Sequence, residues 1–435
     1  MIKYPQIPHY RILIDHLIEY AKLGGEYGAQ GIEDVLRKAE EGIIDAISQL
    51  KKLPIDQHLA GCEPDSLSEI RGLRPEGPRR LWRNFQKDKY LEKLEGALLA
   101  RMAGCTLGAI VEGWSIESMQ EWANFIGDAF PPLDYWSQAK DPVHIRYGKS
   151  PNYAYTRSKM CGVPVDDDIT YTLLGLLIVE EYGKDFTTED VAKAWVKYLP
   201  MACTAEEIAL ENIKKGISPY RAAEHDNPYC QWIGADIRSD PWAYMAPGYP
   251  EKAAEMAYRD AYLSHRRNGI YGAMFFSAAQ AAAFEVDNPV DAIKVGLTEI
   301  PADCLLAQAV RWALDEAKNI RDYRDARLAV DERFKGMSSV HTINNACLTI
   351  FGLIIGGTDV TRVLSQTVAM GLDNDCTAAT AGSIVGAIVG RKGIPEHWYK
   401  PFNNTIYTYM NGAEVFRIDD VINRFALQAE RILKD

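Results

Sequence analysis

Carboxylates are the side chains in this sequence whose grouping could do chemistry. Asp166, Asp167 and Asp168 are adjacent and run directly into an apolar stretch, Ile169 to Val179. One aspartate there would cap a helix and sit well in its dipole. Three repel one another and bind protons more tightly unless a cation lies among them. A second group, Gly371-Leu372-Asp373-Asn374-Asp375-Cys376-Thr377, opens another helical stretch. Asp373 and Asp375 are two apart, so a loop can aim both at one point. Hard oxygen donors of this kind favour Mg²⁺, Mn²⁺ or Ca²⁺ over zinc. The loop is not an EF-hand, because the required glycine and closing glutamate are missing.

Two stretches of small residues are built to bring such groups together. Gly96, Ala100, Gly104, Gly108 and Glu112 recur every fourth residue, as do Ala378, Gly382, Gly386 and Gly390. On a helix each set forms one stripe. Glycine inside a helix costs roughly 0.5–1 kcal/mol relative to alanine, so a stripe of glycines needs a return. Close helix packing is one return. A buried site held between two central helices is another, with Glu112 projecting at it from the end of its stripe.

Apolar residues at helical spacing recur almost throughout, for example over 90–112, 171–182, 188–198, 273–285, 341–352 and 375–390. Alternating β-branched runs are nearly absent. The expected fold is all-α, a multi-helix bundle. Residues 1–89 are read as a helical appendage with a proline-bearing linker, and 90–435 as the main domain. Residues 114–165 are rich in aromatics and prolines and read as a long excursion.

Composition narrows the partners. The 435 residues are 47% hydrophobic and 25% charged, with a formal net charge of −12. An acidic chain disfavours nucleic acid and anionic membrane surfaces. The start shows no secretion signal, and the uncharged run 376–390 is too short to span a bilayer. The eight cysteines are scattered without a CxxC pair, the pattern of reduced thiols. The expectation is a cytoplasmic enzyme acting on a small molecule or a modified protein; the sequence leaves its oligomeric state open.

Five segments in order, over roughly residues 90–400, resemble the ADP-ribosylglycohydrolase family. Residues Gly96 to Glu112 resemble the family's opening helix, which ends in a functional glutamate. Asp166-Asp167-Asp168-Ile169 is similar to its Thr-Asp-Asp-Thr motif. Ile233 to Arg238 resembles its Asn-Gly-Ala-Ala-Met-Arg loop. Ser264-His265, with Asn268, resembles its Thr-His segment. Gly371 to Cys376 resembles Gly-Gly-Asp-Thr-Asp-Thr.

The resemblance implies an orthogonal all-α bundle around a pair of Mg²⁺ ions, with Mn²⁺ as an alternative. It places Asp166, Asp167, Asp168, Asp373, Asp375 and Cys376 as ligands. Glu112, Asp168 and Asp375 take catalytic roles, and Gly234, Ala235, His265 and Asn268 hold substrate. Cys376 stands where the family has threonine and is a poor Mg²⁺ ligand. Asp236 is expected to put a carboxylate where a diphosphate would lie, disfavouring the family's usual pose. The implied activity is hydrolysis of a ribosyl C1–N or C1–O bond in an ADP-ribosylated protein or ADP-ribose conjugate. Two alternatives stay open: an N-glycosidase acting on a smaller nucleoside-like metabolite, and a non-catalytic relative. His341 is read as a hydrogen-bonded core residue, and Trp114, Trp136 and Trp232 as packing residues that could instead stack on a base.

Overall fold

The computed structural model describes residues 3–82, 85–138 and 151–434. Residues 83–84, and residues 139–150 of the excursion, lie outside them. The chain divides into two compact units, residues 1–61 and 62–435. In the first, helices Tyr10–Glu26 and Ile32–Lys51 are joined through Gly28 and Gly31, both at positive φ, and neither helix buries a residue.

The division falls inside the proline-bearing stretch 54–88, ahead of residue 89. Residues 62–82 belong to the larger unit because their arginines are held there. Arg74 pairs with Glu251 and Glu299, each at 2.5 Å, and Arg79 with Glu299 at 2.8 Å. Glu299 is 1% exposed, so its charge is neutralised where it is buried.

The larger unit is helical, with a single short hairpin, Thr405–Tyr407 against Val415–Arg417, among the described residues. Helices Asp167–Tyr182, Thr188–Tyr198, Asn268–Ala283, Thr342–Gly356 and Asn374–Val389 stand close to their expected positions. The excursion contains an unexpected helix, Ile116–Ile126, and the C-terminal helix Ile418–Leu433 was also not anticipated. No disulfide joins any of the eight cysteines among the described residues. Among the described residues one helical stretch, Lys87–Val111, is long and apolar enough to cross a membrane. Its apolar window is 83% buried inside the fold.

That stretch and Asn374–Val389 form the centre, antiparallel and in backbone contact. A β-carbon at Gly96 would overlap the Gly386 carbonyl, one at Gly104 the carbonyl of Ala378, and one at Gly382 the carbonyl of Ala100. At the end of the pair, a β-carbon at Gly108 would strike the backbone of Asp375. The glycine stripes therefore repay their helical cost as packing. The aspartate site is not held between the helices but lies where the pair ends.

The tightness of this seam predicts that Gly104→Val destabilises the protein by on the order of 3 kcal/mol or more, because rigid backbone cannot yield. Gly72→Ala, facing open space, changes stability little. Thermal unfolding of the two variants checks the contrast.

Candidate metal centre and cavity

The helix Lys87–Gly108 does not carry its stripe through to Glu112. It tightens into a 3₁₀ turn, Ala109–Val111, and Glu112 leaves with φ −55° and ψ 130°. Glu112 nevertheless reaches the aspartates, because Gly108 lies against Asp375. The Gly113 N–H donates to the Leu372 carbonyl at 2.9 Å, latching this segment to the Asp373 loop. Leu372 has φ +61°, a left-handed conformation strained for leucine. The resembling motif has glycine at this position.

Two helix N-termini converge here. Asp166 caps Asp167–Tyr182, its carboxylate accepting from the Asp168 N–H at 3.0 Å. Asp373 precedes Asn374–Val389, and its N–H donates to the Asn345 side-chain oxygen at 3.3 Å. Both helix ends favour negative charge.

Three overlapping groups of side chains could each hold a metal ion: Glu112 with Asp373 and Asp375; Asp168 with Asp375 and Cys376; and Asp166 with Asp167 and Asp168. Within each group the ligand atoms lie within 4.8 Å of one another. Asp375 and Asp168 are the shared members. The two aspartate clusters, more than 200 residues apart, thus form one centre.

The donor set fits a hard divalent cation. Asp168, Asp373 and Asp375 are buried, and each has a carboxylate oxygen without a hydrogen-bond partner. Burying such oxygens unpaired is costly. The Cys376 thiol donates to Asp168 at 3.2 Å, and its sulfur is one of the atoms that could face an ion beside Asp168 and Asp375.

Crowding raises the proton affinities. Asp375 pushes Glu112 up to about 7, helped by its partial burial. Burial and then Asp167 push Asp375 up to about 6. Burial raises Asp166, Asp168 and Asp373 well above the carboxylate range, with neighbouring aspartates adding to it.

One residue of this centre escaped the sequence reading. Arg101 is completely buried beneath Asp168. It pairs with Asp168 at 3.6 Å and Asp240 at 3.0 Å, and donates to the Thr172 hydroxyl at 2.9 Å. A lone arginine inside a stripe of small residues was the available signal.

A cavity of about 410 Å³ opens over the centre. Glu112, Asp166, Asp167, Asp373, Asp375 and Cys376 line it together with Tyr171, Glu206, Trp232 and Gly234. Of the expected substrate-holding residues, Gly234 reaches it and Ala235, His265 and Asn268 do not. His265 is fully buried, with Nδ1 at 2.8 Å from the Ser264 hydroxyl. Asn268 donates to Gln231 and accepts from the Leu306 N–H. Asp236 also points away from the cavity: it is 1% exposed, and a β-carbon at Gly272 would strike its carboxylate. The repulsion expected from Asp236 is therefore absent, and Glu206 lines the cavity in its place.

His341 accepts the Ile343 N–H through Nδ1 at 3.2 Å, and burial lowers its pKa to about 4. Trp136 is buried, donating to the Leu107 carbonyl, and of the three tryptophans singled out only Trp232 lines the cavity.

The fold is an all-helical bundle with acidic clusters at two converging helix ends. The ADP-ribosylglycohydrolase family model matches residues 86–431, and the chain belongs to that family. A solved structure titled "ADP-ribosylglycohydrolase-related protein complex" superposes with a TM-score of 0.54. It shares 17% identity and covers 79% of this chain and 99% of its own, which shows the common fold. No curated protein matches the chain. Family membership points to a glycosidic-bond hydrolase.

Proposed function

We propose that the protein hydrolyses a ribosyl glycosidic bond with the help of divalent cations, Mg²⁺ or Mn²⁺, at the shared carboxylate centre. The observation that carries this reading is the set of buried carboxylate oxygens of Asp168, Asp373 and Asp375 that lack a hydrogen bond, brought together from two helix ends. Asp166, Asp167, Asp168, Asp373 and Asp375 would hold the ions. Bound cations supply Lewis-acid orientation of the ribose hydroxyls and lower the pKa of water.

The chain's own residues do the rest. Cleavage of a ribosyl C1–N or C1–O bond passes through an oxocarbenium-like state, which needs a positioned water and a base. Glu112 is the exposed carboxylate at the cavity mouth, so its oxygen can accept the proton of that water. Arg101 fixes Asp168 from beneath, and the apolar wall residues Val165, Ile233 and Ile237 limit water at the reacting carbon.

An ADP-ribose conjugate is the substrate suggested by the family's name. A smaller nucleoside-like substrate is favoured by one observation: no lysine, arginine or histidine lines the described cavity to neutralise a diphosphate.

The test is metal content together with a turnover screen over ADP-ribosyl-arginine, ADP-ribosyl-serine, NAD and free nucleosides. The expected result is turnover that excess chelator removes and Mg²⁺ or Mn²⁺ restores. Turnover undiminished in chelator overturns the reading.

A further inference from the structure

The cavity lining next to the carboxylate centre has a chemistry of its own. Glu206 lies in the first turn of helix Thr204–Lys214, is 3% exposed, and lines the cavity. Its carboxylate is bonded to the Arg238 guanidinium, and Arg238 is held in turn by Asp260 at 2.5 Å and by the Gly234 carbonyl at 2.7 Å. The same guanidinium lies 5.4 Å from the Tyr171 ring centre and 5.0 Å from that of Trp195. Glu206 and Tyr171 are thus fixed by one buried cation. Since that cation is shared between Glu206 and Asp260, the wall is not electropositive.

The Tyr171 hydroxyl is the second observation. Tyr171 is 3% exposed and lines the cavity, and its hydroxyl has no hydrogen-bond partner. A buried hydroxyl without a partner costs stability that a ligand can return. Beside it stand two aromatic side chains, Trp232 and Tyr409, both half-buried and both lining the cavity. Thr204, at the start of the helix that carries Glu206, is in the left-handed region at φ +47°. Such strain is kept where the surroundings enforce it.

We infer that the wall formed by Tyr171, Glu206 and Trp232 is a subsite for an amino-bearing nucleobase. Glu206 accepts a base N–H, the Tyr171 hydroxyl donates to a neighbouring ring nitrogen or carbonyl, and an aromatic face packs on the ring. This deepens the glycosidase reading by naming its substrate class: a ribonucleoside-type compound, not one that lays a diphosphate on this wall. A carboxylate acceptor beside a hydroxyl donor reads the edge of such a base, and a diphosphate would meet Glu206 with its one nearby cation, Arg238, already shared with Asp260.

Calorimetric titration of the full chain tests this, with adenine, cytosine and guanine as probes in metal-free buffer, then adenosine and ADP-ribose with Mg²⁺. At least one free base is expected to bind without metal, and adenosine to bind more tightly than ADP-ribose. Glu206→Gln should weaken the base and adenosine about tenfold or more, the effect of losing one charge-assisted hydrogen bond. Tyr171→Phe should weaken them about threefold to tenfold. Mg²⁺ binding should be unchanged in both variants, which separates a lost contact from a damaged fold.

Failure of all three bases to bind at millimolar concentration overturns the inference, as does ADP-ribose binding more tightly than adenosine in the unaltered protein. Indifference of base binding to both substitutions also overturns it. Because free bases need no metal, these outcomes stand apart from the fate of the glycosidase reading, which is decided by turnover and chelation.

Discussion

Asp375→Ala is expected to abolish divalent-cation binding and turnover together. Asp375 belongs to two of the three carboxylate groups, beside Glu112 and Asp373 on one side and Asp168 and Cys376 on the other. Asp167→Ala is expected to act in the same direction, removing a member of the third group. Losing even an outer-shell partner of a metal typically costs 10–100-fold, so the loss of a shared ligand should exceed about a hundredfold in affinity. Isothermal titration with Mg²⁺ and Mn²⁺ reads the first effect and the turnover screen the second. Undiminished cation affinity in Asp375→Ala would remove the basis for the centre.

The same crowding makes stability depend on pH in a defined direction. Without cations, folding raises Glu112 from 4.5 to about 7 and Asp375 from 3.8 to about 6. The folded protein therefore holds protons that the unfolded chain releases. This stabilisation is complete below about pH 4 and is lost as pH rises through about 7. In chelator, the melting temperature should fall across that interval, and divalent cation should restore it most at the alkaline end. In metal-free buffer, Asp375→Ala should flatten the decline, since it removes both a titrating group and the largest cause of the Glu112 shift. A decline that is unaffected by cation would mean that the charges are not relieved at this centre.

The centre was legible because its parts announce themselves locally. Adjacent aspartates before an apolar helix, and an alternating pair before a small-residue helix, are readable without any knowledge of tertiary structure. The glycine stripes were also informative: their spacing pointed to two closely packed central helices, which the fold runs antiparallel with Gly108 against Asp375.

What was not legible depended on direction and burial. Asp236 sits inside the recognised loop, but packing beside Gly272 turns it away from the cavity. Glu206 belongs to no motif, and only the fold brings it to the wall through Arg238. His265 and Asn268 keep their place in sequence while their side chains are consumed by neighbours. A residue's type and spacing constrain which element it lies on. Whether its side chain reaches a cavity depends on the elements packed around it, which are distant in sequence.

Glu112→Gln is expected to spare cation binding and lose turnover, the opposite pattern to Asp375→Ala. The 3₁₀ turn after Gly108 takes Glu112 out of the helix and leaves it exposed, while Asp168, Asp373 and Asp375 are buried. Five aspartates remain to hold cation when Glu112 is neutralised, and glutamine keeps the side chain's size and the latch from Gly113 to Leu372. What glutamine cannot do is accept a proton from water. Removing a general base costs about 10²–10⁴-fold in rate, and the loss should fall on kcat with KM little changed. The Mg²⁺ isotherm should stay within a few-fold of the unaltered protein. A parallel collapse of cation affinity would make Glu112 a ligand, and unimpaired turnover would move the base to one of the aspartates beneath it.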